Sequence, residues 1–198
     1  MDIMVIVYAI LAYLIGSIPS GLIIGKTFFN TDVRQYGSKN IGATNTYRVI
    51  GLKAALPVFL CDALKGAAGV VLLSSYGPMY MILGGILAMM GHNWSIFLGF
   101  KGGRGVATGL GVLIALSPLV ALLCFLVWGI IVYFTKLVSL GSIVAAAFVP
   151  VLMYVTGESY WFVSFGGLAA LFVIVRHWDN IKRLLAGNEL KVERIKKD

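Results

Sequence analysis

Lys101-Gly102-Gly103-Arg104-Gly105 puts two cations and three glycines between strongly apolar stretches. Glycines let a main chain come close to a ligand, and unpaired N–H groups at a helix start bind anions. Lysine adds a point charge and arginine a fork matched to phosphate oxygens. The segment reads as a phosphate cradle, or as a basic loop with glycines for turning; taken alone it fits both. No strand is read before it, so it is not a dinucleotide fingerprint. A second stretch, Gly37 to Arg48, crowds Ser38, Asn40, Thr44, Asn45 and Thr46 among glycines. Short donors and acceptors at that density suit a polyhydroxyl or phosphorylated small molecule, against the plainer reading of a polar loop capping the next helix.

Other residues carry less. Asp62 and Lys65 stand three apart on one helical face, deep in an apolar run, and should pair as a structural ion pair or a site wall. His92 reads as structural. His177, beside Arg176 and three before Asn180, is the better candidate for substrate contact or proton transfer. No metal-ligand spacing, cofactor motif or Gly-x-Ser-x-Gly elbow is present. Cys61 and Cys124 read as packing residues. "SGLIIGKT" (20–27) has one residue too few for a phosphate loop, and its Lys26 reads as a helix-end cation.

The elements that hold these residues follow from composition. Of 198 residues, 60% are hydrophobic and 12% charged, which is an integral membrane composition. Apolar runs at 3–25, 53–75, 79–99, 138–156 and 160–176 predict membrane helices, the first retained rather than cleaved. Residues 105–135 would make one helix of about 46 Å, too long for a single upright pass. Ser117-Pro118 offers a break. With two passes there, fifteen of the sixteen Lys and Arg residues fall on one face, in 26–53, 100–104, 136 and 176–198. With one pass they divide between faces. The positive-inside rule therefore predicts an all-α protein of seven transmembrane helices, N-terminus outside and C-terminus cytoplasmic. The chain reads as a single domain, 1–198, with a basic tail from about 177. That tail suits an anionic inner leaflet, and beyond residue 190 an orientation anchor suffices. The net charge of +8 is explained by the inner face and calls for no nucleic acid.

Together, "GSIPSG" (16–21), "GSKNIGATNTYR" (37–48), "DALKG" (62–66), "GHNWSIFLGFKGGRGVATG" (91–109), "SLGS" (139–142) and "RHWDNIKRLLAGNE" (176–189) resemble the bacterial acylphosphate-dependent glycerol-3-phosphate acyltransferases, the PlsY family. They run in the family order. Lys39 stands where the family commonly has glycine, Arg104 where it has lysine, and Trp178-Asp179 replaces a frequent basic residue. The resemblance implies seven membrane helices in a bacterial cytoplasmic membrane. It implies acyl transfer from fatty acyl phosphate to the 1-hydroxyl of glycerol 3-phosphate, with no cofactor and no metal. A peripheral enzyme would make the acyl phosphate. The resemblance puts catalysis on Lys101, Arg104, Ser142 and His177. It puts substrate binding on Ser38, Asn45, Arg48, Asn180 and the loop glycines Gly102, Gly103 and Gly105, to which the density of short polar side chains adds Asn40 and Thr44. A transporter or binding protein for a phosphorylated small molecule or lipid would use the same cationic rim and is the alternative. Acyl-CoA or acyl carrier protein as donor is a third reading.

Overall fold

The computed structural model describes residues 2–195, which form ten α-helices, three short 3-10 turns and no strand. Lys196 and Lys197 of the expected basic stretch lie outside the described residues. The helices are α1 (Ile3–Ser17), α2 (Ser20–Phe29), α3 (Ala43–Val49), α4 (Leu52–Leu72), α5 (Pro78–Asn93), α6 (Val106–Leu116), α7 (Pro118–Thr135), α8 (Val138–Val155), α9 (Tyr160–Arg176) and α10 (Trp178–Leu185). Among the described residues four stretches are long and apolar enough to cross a membrane: α4 with the turn after it (Leu52–Tyr76), α5 with the turn after it (Pro78–Leu98), α7 and α8. Counting α1 with α2, and α9 with α10, as single bent spans brings that to six, and α6 is a shorter apolar helix.

Two compact units emerge, one reaching Val112 and including the tail from Val192, the other running from Leu113 to Lys191. In the first unit the expected continuous helix over 3–25 is instead broken at Ile18-Pro19 and bent by 46°. Proline has no N–H and its ring clashes with the preceding turn, so carbonyls lose helical partners there. Inside a bilayer, where water is absent, they need others. Ser95 Oγ donates to the Ser17 carbonyl at 2.5 Å, and Lys65 Nζ donates to the Ile18 carbonyl at 2.9 Å. Lys65 Nζ is also 2.8 Å from Asp62 Oδ1, and both side chains are buried. The pair anticipated on α4 is thus an anchor for a broken helix.

Around that anchor the helices approach through small residues. A side chain at Gly16 of α1 would strike the main chain of Ala88 on α5, and one at Gly91 the carbonyl of Tyr13. Gly69 of α4 and Gly84 of α5 meet main chain to main chain, as do Gly66 with Thr108 and Gly111 with Ala63, which shelter the start of α6 on α4. Such contact replaces the water-driven burial that membrane helices lack.

In the second unit, Pro118 opens α7 and Ser117 precedes it, so 105–135 forms two helices that part where the sequence offered a break. The Ser117 hydroxyl donates to the Glu158 carboxylate. Leu119, Leu122, Leu126, Ile130 and Tyr133 make an exposed apolar stripe along α7, while Val120 and Cys124 pack with Val149 and Met153 of α8. An apolar stripe turned outward and another turned inward is the pattern of a helix between lipid and protein.

Lys65→Met should lower stability by about 3–5 kcal/mol, because it leaves the buried Asp62 carboxyl without the ammonium it pairs with. The double variant Asp62→Asn, Lys65→Met should recover part of that loss. Thermal unfolding in detergent micelles checks both.

Candidate active site

In the first unit the loop before α3 is built around one amide. Asn45 is 1% exposed. Its Nδ2 donates to the carbonyls of Val33 (2.8 Å), Asn40 (2.8 Å) and, more weakly, Tyr36 (3.2 Å). Its Oδ1 accepts from the Ser38 N–H at 2.8 Å. That exhausts the amide's two N–H groups, so Asn45 shapes the loop, where the sequence suggested substrate contact. Asn40 Oδ1 accepts from the Gly42 N–H at 2.9 Å and sets the turn into α3. Ser38 and Thr44 are half-buried on this frame, and Arg48, 5% exposed, lies in its last turn. Lys39 adopts φ +57°, a left-handed conformation that favours glycine, the residue common at this position in the resembled family.

The stretch resembling a phosphate loop, 20–27, lies wholly within the helix α2. Lys26 sits 3.3 Å from Asp32 Oδ2, and Arg34 grips the same carboxylate at 2.7 and 3.0 Å. Arg34, helped by Lys26, holds the Asp32 carboxyl well below the usual carboxylate range.

Lys101 to Gly105 folds onto the end of α5. The Gly102 N–H donates to the Asn93 carbonyl at 3.1 Å and the Gly103 N–H to the His92 carbonyl at 3.0 Å. These N–H groups therefore cap α5, although the sequence offered them to an anion. The glycines are needed for closeness: a Cβ at Gly102 would strike the His92 carbonyl, and one at Gly103 the His92 ring. Gly105, at φ +79°, lies against the Asn93 amide. His92 Nδ1 is 3.8 Å from Asp62 Oδ1, which ties the loop's support to the buried ion pair. Lys101 is exposed and Arg104 half-buried, and α6 begins one residue after Gly105. A helix start leaves its first N–H groups without helical acceptors and carries the positive end of the dipole. Two side-chain cations and that helix start can hold a phosphate.

In the second unit, His177 sits where α9 bends by 61° into α10. Its Nδ1 is 2.8 Å from the Val173 carbonyl. A carbonyl only accepts, so Nδ1 carries the proton and, in the neutral ring, Nε2 is the acceptor nitrogen. The Ser142 hydroxyl donates to the Val138 carbonyl at 2.8 Å, one turn back on α8, leaving its oxygen able to accept. Asn180 and Ser139 meet at a residue that sequence reasoning gave no role. Glu189 Oε1 accepts from Asn180 Nδ2 at 2.6 Å and from the Ser139 hydroxyl at 3.0 Å. Its Oε2 accepts from Arg183 Nε at 2.7 Å. A carboxylate fixes which end of the amide it faces, so Asn180 Oδ1, buried and without a hydrogen-bond partner among the described residues, is presented as an acceptor. Glu189 and Asn93 were both visible inside the stretches "AGNE" and "GHNW", but residue type alone does not show which carbonyl, amide or guanidinium each would meet.

Asn45→Ala would leave buried carbonyls and the Ser38 N–H unsatisfied, a loss of about 1–3 kcal/mol for each group not rescued by water. It should appear as early melting of the loop in hydrogen exchange. Gly103→Ala should displace the 101–105 loop from His92 while α5 keeps its place, and should weaken inorganic phosphate binding measured by calorimetry.

The profile of the glycerol-3-phosphate acyltransferase family matches residues 6–187. A glycerol-3-phosphate acyltransferase of Fusobacterium nucleatum is 44% identical over 186 residues, covering 93% of this chain and 96% of that protein. Glycerol-3-phosphate acyltransferase 2 of Moorella thermoacetica is 48% identical over 184 residues, covering 92% and 95%. Crystal structures of PlsY, an integral membrane glycerol 3-phosphate acyltransferase, superpose with TM-scores of 0.89 for its glycerol 3-phosphate form and 0.87 for its lysophosphatidic acid form, at 39% and 38% identity. Each covers 94% of both chains. This all-helical chain shares that integral membrane fold and belongs to the glycerol-3-phosphate acyltransferase family.

Proposed function

We propose that the protein transfers a fatty acyl group from acyl phosphate to the 1-hydroxyl of glycerol 3-phosphate, giving 1-acyl-glycerol 3-phosphate and phosphate for phospholipid synthesis. The observation that carries this reading is the match, over 94% of each chain, to an enzyme crystallised in glycerol 3-phosphate and lysophosphatidic acid forms. The proposed setting is a bacterial cytoplasmic membrane crossed seven times, N-terminus outside. The one-sided distribution of lysine and arginine supports that topology, with α6 as the short additional pass.

The substrate hydroxyl oxygen attacks the acyl carbon, the carbon–oxygen bond to phosphate breaks, and the phosphate departs with the bonding pair. Acyl phosphate is already activated, so positioning and electrostatic stabilisation supply most of the rate enhancement. Lys101 and Arg104, with the start of α6, offset charge growing on the departing phosphate. Ser38 and Arg48, set by the Asn45 frame, and Asn180, set by Glu189, hold the polar substrate. Asn180 Oδ1 and the Ser142 oxygen suit hydroxyl donors rather than phosphate oxygens. His177 orients the nucleophile through Nε2, and a phosphate oxygen of the substrate takes the hydroxyl proton.

Purified protein in liposomes, given labelled glycerol 3-phosphate and one donor at a time, should form labelled lysophosphatidic acid with acyl phosphate alone. Product from acyl-CoA or acyl carrier protein would replace the donor assignment. Uptake without product would favour transport. His177→Gln should keep measurable turnover with a raised KM for glycerol 3-phosphate; abolished turnover with unaltered binding would make His177 the base.

A further inference from the structure

The last described residues return to the loop that carries Arg48. The Ile195 N–H donates to the Arg48 carbonyl at 2.9 Å. The Arg194 guanidinium lies over Gly51, close enough that a Cβ there would meet its nitrogens. The Ile195 side chain reaches Gly37, where a Cβ would come within 3.1 Å of it. Two neighbouring residues thus touch the start of the loop, the last turn of α3 and the residue before α4.

These contacts answer a need of α3. Seven residues make two turns, too few to hold a helix by its own hydrogen bonds. A helix end leaves its last carbonyls without helical partners. The Thr46 carbonyl is taken by the N–H groups of Ile50 (2.8 Å) and Gly51 (3.2 Å), and the Arg48 carbonyl by the tail. Arg194 brings positive charge to the negative end of the helix dipole. Arg48 therefore has its main chain held by a segment that lies 147 positions further along the sequence, at Ile195.

We propose that Val192–Ile195 is a strap that positions Arg48 for a substrate phosphate, a task beyond that of an orientation anchor. The inference rests on the acyl-transfer reading only in giving Arg48 a phosphate to hold. Proline at 195 removes the N–H donor, and alanine keeps it. KM for glycerol 3-phosphate and for acyl phosphate, kcat at saturation and the unfolding temperature are measured for Ile195→Pro, Ile195→Ala and Arg48→Lys in the full chain. Ile195→Pro should raise, by about fivefold, KM for the same substrate that Arg48→Lys affects, with kcat and unfolding temperature near wild type. Ile195→Ala, which keeps the N–H and loses only the side chain on Gly37, should raise that KM less than Ile195→Pro does. Should Ile195→Pro not fold, Arg194→Gln carries the test with about a threefold rise in that KM.

An equal defect in Ile195→Ala, or a rise for the other substrate, overturns the strap. If Arg48→Lys raises a KM and neither tail variant does, the strap alone is overturned. If Arg48→Lys alters neither KM, the assignment of Arg48 to substrate fails and the strap as proposed falls with it.

Discussion

A main-chain carbonyl without a partner is costly in a bilayer, and the first helix of this protein creates such carbonyls by breaking at Pro19. The Lys65 ammonium meets one of them at Ile18 while facing Asp62, so a charge that would be expensive alone becomes the tie between α1, α2 and α4. Asp62 in turn lies 3.8 Å from His92, on which the 101–105 loop rests. The helix break, the buried pair and the cationic loop are consecutive links of one chain of contacts. Removing the middle link loosens both ends.

The polar segments show a division of labour that residue type does not reveal. Some polar side chains carry the proposed chemistry, and others are consumed by main chain. Asn45, Asn40 and the N–H groups of Gly102 and Gly103 belong to the second kind. Lys101 and Arg104 are carried by the loop that the Gly102 and Gly103 N–H groups fold, and Asn180 is set separately by Glu189. A site that handles charged substrates at a membrane needs rigid support, because electrostatic stabilisation is strongest when dipoles do not reorganise.

Much of this was legible in the sequence. The Ser117-Pro118 break, the pairing of Asp62 with Lys65 and the glycine-rich loop before α6 all follow from local spacing and bilayer energetics. The break at Pro19 was visible as a residue but hidden by the apolar run around it, since hydropathy averages over a proline. The roles of Asn45 and Glu189 were not legible, because an amide reads the same whether it binds a substrate or a carbonyl. The tail's return to Arg48 and Gly51 was beyond reach for a related reason: hydrogen bonds between distant segments leave no period in the chain.

The close meeting of α1 with α5 at Gly16 and Gly91, and of α4 with α5 at Gly69 and Gly84, has a mechanical meaning. Main chain against main chain has no rotamers to redistribute. A bilayer that thins or thickens can be accommodated elsewhere by side chains that re-aim, but at these four glycines α5 is held against α1 and α4 with little side chain to yield. The three helices tilt as one body, carrying His92, Asn93 and the loop above them, so that the geometry around the loop's support is insulated from the lipid in which the enzyme works.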